Sequence, residues 1–372
     1  MTRVDGILKN IMLFLVVIFL MAIFSEVVLR TLDIPKYSSV AEIYRRTDAI
    51  RHNALIPNSY GRVRTSEYDV EFRINSIGLR DREISPTKQK YRILMLGDSN
   101  TEGAGVDVND TIPKQLESIL TSEGNKVEVI NAGFSGYSPI LEYLYLKHEG
   151  ILLNPDMVIL NLDLNDLKDD YDYEKVAVWN NSEVIAVPGS KAERTWTKNI
   201  EYFCAKYDLH FCMLLGMSFY KFTGNFQTEK PYAGLIPGDI NTDRLFETRF
   251  NISDPSVHYE RTFKYIKKIK AICDEKNVSF VLVIYPYGHL VNDREWSIGR
   301  KKFYFDQLPI YSLDFFTRVR KFASNNNITF INTYYKFNNT STFPLFYSYD
   351  PHMTPAGYML VALGISENLR IK

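Results

Sequence analysis

The sequence carries no surplus of either charge: 44 Lys and Arg stand against 44 Asp and Glu over 372 residues. That balance argues against a nucleic-acid partner, because phosphate recognition needs a basic excess to displace counterions. Cysteine is scarce as well. Cys204, Cys212 and Cys273 are too few for a disulfide scaffold and have no metal-ligand spacing. Cys204 and Cys212 leave two readings open, a pair across a short loop in an oxidising compartment or free buried thiols. Five of the six histidines, His52, His148, His210, His258 and His289, lack partners at metal-binding spacing, so neither a metal nor a cofactor is expected. Internal repeats and low-complexity runs are missing, which sets aside solenoids and disordered arrays. What the chain does have is 45% hydrophobic residues, enough for a sizeable core, and a high aromatic share of 14%.

Long hydrophobic runs are rare, and one stands out. From Ile11 to Phe24 the chain reads IMLFLVVIFLMAIF without a charge or turn residue. A signal-peptide core has this length, whereas about 20 apolar residues span a bilayer. Ile7 and Leu8 extend the run backwards and Val27, Val28 and Leu29 extend it forwards, Lys9 can snorkel, and no small-x-small cleavage pair follows. Residues 1–30 are therefore expected to be an uncleaved transmembrane anchor, with a short inner tail and the rest of the chain extracytoplasmic, periplasmic or extracellular. Arg3 and Lys9 on one side against Arg30 and Lys36 on the other barely discriminate the orientation.

Residues 31–90 read as a β-rich preface or linker, with Tyr68–Asn75 alternating like a strand. A different rhythm follows. Apolar runs at Tyr91–Leu96, Val127–Asn131, Met157–Leu162, Val278–Tyr285 and Ile328–Asn332 alternate with helical stretches at Thr111–Glu123, Pro139–Glu149, Tyr259–Lys276 and Leu313–Ser324. Short buried strands alternating with helices predict a five-stranded parallel sheet covered on both faces, a flavodoxin-like three-layer α/β/α sandwich. This domain would occupy 91–372. An inserted subdomain is expected at about 168–256, because roughly ninety residues exceed any ordinary βα connection. Its aromatics, including Tyr202, Phe203, Phe211, Phe219 and Tyr220, read as a small core.

Ligands of open α/β sheets bind beyond the carboxyl ends of the strands. The first such end is Gly97-Asp98-Ser99, where Ser99 sits at a strand-to-helix turn and Asp98 reads as a buried partner for that turn. The second carries Gly133, which permits close approach of its backbone N–H. The third carries Asn165, a carboxamide donor. After the fifth come Asp350 and His352, just before Thr354 and Pro355, a good N-cap and N1 pair. Asp163, Asp166, Asp169, Asp170 and Asp172 lack EF-hand spacing and read as a solvated loop. Taken singly, Ser99 has a reading as a helix cap, Gly133 as a tight turn and Asn165 as a cap. Taken together they put a serine, a histidine, a carboxylate and amide donors on one rim. A hydroxyl is a weak nucleophile until an imidazole takes its proton, and a carboxylate fixes the imidazole tautomer.

These residues resemble the blocks of the SGNH hydrolases, also called the GDSL family: Gly97-Asp98-Ser99 with Thr101 and Gly103, then Gly133, then Asn165-Asp166, then Asp350-Pro351-His352. The match runs roughly from Tyr91 to Lys372 without the insertion. Asp163 stands where many members have glycine, and the Asp350-to-His352 spacing is one shorter than the commonest. The resemblance implies Ser99 as nucleophile, His352 as base and Asp350 as its orienting acid, with an oxyanion hole from Ser99, Gly133 and Asn165. It further implies a serine esterase without cofactor that removes small acyl groups, O-acetyl foremost, from a polysaccharide or other cell-envelope substrate. Two alternatives stand beside it, an O-acyltransferase using the same triad and a non-catalytic envelope glycan-binding or assembly protein.

Overall fold

Five short apolar strands pair side by side and all run the same way. In a computed structural model, which describes residues 3–32, 44–190, 200, 202–204, 206–222, 256–302 and 312–371, they are β5 (Tyr91–Gly97), β6 (Val127–Gly133), β7 (Met157–Leu162), β10 (Ser279–Ile284) and β11 (Thr329–Asn332). Their spatial order is β11-β10-β7-β5-β6. Counted along the chain this is 2-1-3-4-5, the flavodoxin-like order, whose crevice opens where the winding reverses, between β5 and β7. The mixed α/β class and the five-stranded parallel sheet read from the sequence are thus present, with strand bounds shifted by a residue or two.

Because alternate strand residues point to opposite faces, the sheet separates two cores. Ile93, Met95, Val129 and Ile159 face one side, where α3 (Ile112–Ser122) and the Pro355–Ser366 helix pack together. Leu94, Leu96, Val158 and Leu160 face the other, covered by α4 (Pro139–His148), the Ser256–Glu275 helix and the Ser312–Asn325 helix. Each such fully buried side chain contributes roughly 1.5–3 kcal/mol relative to exposure. The preface joins the second core through Tyr44, Leu55, Val63 and Phe72. It forms two antiparallel hairpins, β1 (Arg45–Thr47) with β2 (Asn53–Leu55) and β3 (Tyr60–Arg64) with β4 (Asp69–Arg73). In β4, Val70 and Phe72 point inward while Asp69, Glu71 and Arg73 point out.

The acidic run is not the solvated loop the sequence suggested. Asp166–Val176 forms helix α5, packed on α4 and the Ser256–Glu275 helix, with Asp163, Asp166, Asp169 and Asp170 buried. Helix-compatible spacing of Leu167, Asp170 and Tyr173 outweighs the polarity, because each buried carboxylate finds donors: Asp170 accepts from Ser138 Oγ at 2.7 Å, Thr262 Oγ1 at 2.6 Å and Ile140 N at 3.0 Å. A hairpin of β8 (Val178–Asn180) and β9 (Glu183–Ala186) follows.

At the N-terminus, α1 (Arg3–Thr31) includes a 26-residue stretch, Gly6–Thr31, long and apolar enough to cross a membrane, with none of it buried in the protein. Glu26 near its end accepts the N–H groups of His210 and Phe211 at 3.1 and 2.8 Å, and so caps the His210–Phe222 helix. Cys204 and Cys212, left open above, are disulfide-bonded beside that contact. Phe203 is exposed against Tyr207, so the expected small aromatic core does not include it. The side chains of Phe219 and Tyr220 lie outside the described residues.

Arg80 fastens the preface to the segment that follows β5. Its guanidinium lies 3.7 Å from the Phe72 ring centroid, is almost fully buried, and donates to the carbonyls of Glu71, Glu102, Gly103 and Val106. Arg80→Met strands those four acceptors in a dry interior, so a loss of about 3 kcal/mol or more is expected. A fall in the denaturant midpoint at unchanged m-value is the check.

Candidate active site

At the carboxyl end of β5 the chain turns directly into the one-turn helix α2 (Ser99–Glu102). Asp98 caps it, with Oδ1 accepting from Asn100 N at 2.9 Å, and Gly103 ends it in the left-handed region at φ +94°. The turn puts Ser99 at the mouth of the crevice. Glu102 closes the turn from below. It is fully buried, pairs with Arg45 from β1, and accepts from both the hydroxyl and the N–H of Ser135, the latter at 2.8 Å.

The residues predicted for the C-terminal block arrive at the same place. His352 Nε2 lies 2.8 Å from Ser99 Oγ, and His352 Nδ1 is hydrogen-bonded to Asp350 Oδ1, which also accepts the His352 N–H at 2.9 Å. A carboxylate only accepts, so the Nδ1 proton belongs to the Asp350 bond and Nε2 keeps its lone pair for the Ser99 hydroxyl. Thr354 Oγ1 caps the following helix with Pro355 at its start, which fixes where the His352 loop ends. The arrangement is that of a hydroxyl, a base and an orienting acid in line.

Two groups from the preface complete this corner, and no motif in residues 31–90 announces them. The Tyr68 hydroxyl donates to Asp350 Oδ2 at 2.8 Å, and the Glu67 carboxylate accepts the N–H groups of Tyr349 and Asp350, both at 2.9 Å. Alternation along β4 marks inward side chains there, but a contact spanning 282 positions has no local signature.

Gly133 lies where β6 presses on the Ser99 turn. A Cβ on it would lie 2.2 Å from Glu102 N and 2.5 Å from Thr101 C, so glycine is required for β6 to pack against α2. Its N–H donates to Asn131 Oδ1 at 3.0 Å. Asn165 begins α5; its amide donates one proton to Asp169 Oδ2 at 3.0 Å while its carbonyl accepts from Tyr287 at 2.8 Å. A carboxamide has two N–H donors, so the second remains available with its direction fixed by those two bonds. Asp163 is buried and ties the third strand end to α2 and to the residue after β10 by accepting from Asn100 Nδ2 at 2.8 Å and the Tyr285 hydroxyl at 3.0 Å.

Carboxyl groups crowd beneath the turn. Burial, then the charge of Asp163, holds Asp98 well above the usual carboxylate range. Burial followed by Asp170 does the same to Glu142, and burial followed by Glu142 to Asp166. Burial pushes Asp170 up to about 7, against the pull of its three donors. Shifts in this direction favour the protonated carboxyl and so lessen the repulsion that so many charges would create. Among the described residues, no cluster of three or more His, Cys, Asp or Glu is arranged to hold a metal ion.

With this geometry in view, comparison with known proteins gives a family match: the model of the GDSL-like lipase/acylhydrolase family matches residues 95–302. That segment contains Ser99, Gly133 and Asn165, with Asp350 and His352 beyond its end. No curated protein matches the chain. Among solved structures, the chain is similar to a GDSL-like lipase from Bacteroides thetaiotaomicron, at 14% identity over 77% of this chain and 90% of that one, with a TM-score of 0.38. It is also similar to a catalytic mutant of an acetylxylan esterase from Geobacillus stearothermophilus, at 14% identity over 76% of this chain and 96% of that one, with a TM-score of 0.39.

His352 supplies a titration test. Burial disfavours its imidazolium, but the adjacent Asp350 charge, helped by Asp163 and Glu102, outweighs burial and raises its pKa above the ordinary value. A raised histidine pKa contributes stability that is fully present below the unfolded value of about 6.5 and is lost as pH rises through the folded value. NMR titration should place His352 above that value in the wild type and lower it in Asp350→Asn. The stability advantage of wild type over Asp350→Asn should be larger near about pH 5 than near about pH 8.

Proposed function

Since the chain belongs to the GDSL-like lipase/acylhydrolase family and is therefore an SGNH-type ester hydrolase, we propose that Ser99, His352 and Asp350 are its catalytic triad and that it removes small acyl groups, acetyl foremost, from a cell-envelope polysaccharide or related molecule. The observation that carries this reading is the contact of His352 Nε2 with Ser99 Oγ at 2.8 Å, with Nδ1 held by Asp350.

In this reading Ser99 Oγ attacks the ester carbonyl as its proton passes to His352 Nε2. The carbonyl electrons collect on the oxygen, facing the Ser99 N–H and the second amide proton of Asn165. Each donor of this kind is worth about 2.7–4 kcal/mol of barrier. The C–O bond then breaks, the sugar alkoxide leaves with the proton from the imidazolium, and the acyl group stays on Ser99. Water, deprotonated by the freed imidazole, attacks that acyl-enzyme and releases the carboxylic acid and Ser99. Gly133 serves by letting β6 approach α2.

The envelope setting rests on separate observations. One N-terminal helix has the length and apolarity of a membrane span. The Cys204–Cys212 disulfide lies at the C-terminal end of that helix, beside Glu26, and disulfides persist in oxidising compartments. These observations support an extracytoplasmic catalytic domain tethered by α1, and the disulfide favours that side of the span where the flanking charges are even. A glycan is favoured by the neutral overall charge, which suits a partner selected through shape and hydroxyls.

A fluorophosphonate probe should label the folded wild type at Ser99 and leave Ser99→Ala unlabelled. Acetate release from acetylated glycans should fall about a thousandfold or more in that variant. An unlabelled, folded wild type would count against the triad.

A further inference from the structure

The Asp350 carboxylate is fully buried, and both of its oxygens are occupied. Oδ1 serves His352, while Oδ2 accepts from the Tyr68 hydroxyl at 2.8 Å. The peptide N–H groups of Tyr349 and Asp350 are in turn held by the two oxygens of Glu67, each at 2.9 Å. The Tyr68 ring lies against Tyr347 with centroids 5.0 Å apart, and Tyr347 donates to the Gly105 carbonyl at 2.6 Å, just beyond the Ser99 turn. Glu67 and Tyr68 lie in the turn between β3 and β4, so they come from a part of the chain that precedes the family match at residue 95.

We propose that Glu67 and Tyr68 are positioning residues for hydrolysis, so that the preface sets both the orientation and the effective charge of Asp350. The proposal rests on the triad reading above. A carboxylate bonded through one oxygen can turn about its Cβ–Cγ bond; a donor on the second oxygen locks that rotation, and Glu67 locks the backbone that carries it. The phenol also draws part of the negative charge toward Oδ2, which tempers the field that Asp350 exerts on the imidazolium. The charged and titratable groups facing His352 are Asp350, Asp163 and Glu102, with Ser99 at its other nitrogen. Around Asp350 lie Glu67, Tyr68, Tyr347 and Tyr358, and burial raises the last two phenols so that they stay neutral.

The test uses the full chain and Tyr68→Phe, which keeps the ring against Tyr347 and deletes one hydroxyl. With a short acyl ester such as p-nitrophenyl acetate, kcat should fall about tenfold, the size expected for one hydrogen bond to a charged group, while KM changes little. The acid limb of kcat/KM should move to higher pH, because the untempered Asp350 charge holds the proton on His352 more tightly. In an Asp350→Asn background the same substitution should cause no further loss in fluorophosphonate labelling rate. An unchanged kcat and acid limb, or an equal loss in both backgrounds, would overturn the positioning role while leaving the triad intact. A wild type that the probe does not label would overturn the triad reading, and the positioning role with it.

Discussion

A single buried carboxylate holds the Ser99 turn in place. Glu102 sits at the end of α2 with no exposed surface and joins three separated segments: Arg45 from the first hairpin, Ser135 from the loop after β6, and its own helix. An unpaired charge at that depth would be severely destabilising, and loss of one partner from a buried ion pair commonly costs 3–5 kcal/mol. The pair therefore makes docking of the preface a condition for a well-ordered turn. Arg80 reinforces this from the same side by taking the carbonyls of Glu102 and Gly103. The position of Ser99 follows from these contacts as much as from the strand that precedes it.

Beneath the turn the protein uses carboxyl groups as structural hydrogen-bonding units. Asp98 caps α2, Asp163 bridges α2 to the residue after β10, Asp166 accepts the Asp163 N–H at 2.8 Å, and Asp170 joins α4 to the Ser256–Glu275 helix. Packed this closely in a low dielectric they repel one another, and the raised pKa values of Asp98, Asp166 and Asp170 describe how the protein tolerates them. His352 is shifted upward by its neighbours too, but there the outcome is a protonatable base close to the hydroxyl.

The strands were legible because each is a short apolar run bounded by turn residues, and the rim residues because the carboxyl ends of parallel strands are where side chains of separate blocks converge. Ser99, Asp350 and His352 meet as their order along the chain suggested. Burial of the acidic run was illegible because its donors, Ser138 and Thr262, come from elements distant in sequence. The same holds for Gly133, whose place depends on the backbone of Thr101 pressing against it, and for Tyr68 and Glu67, which nothing local distinguishes from other residues of a polar hairpin. Patterns report which face of an element is buried; they do not report what waits on the other side.

Ser99 and His352 are 253 positions apart, and Tyr68 and Asp350 are 282 apart. Contacts this distant in sequence carry a large loop-closure cost and cannot be made by local structure alone. The loop bearing Asp350 and His352 leads into the Pro355–Ser366 helix, which packs on α3. During synthesis the serine is present without its histidine. The contact between the two is thus a property of the folded chain and of no single segment of it.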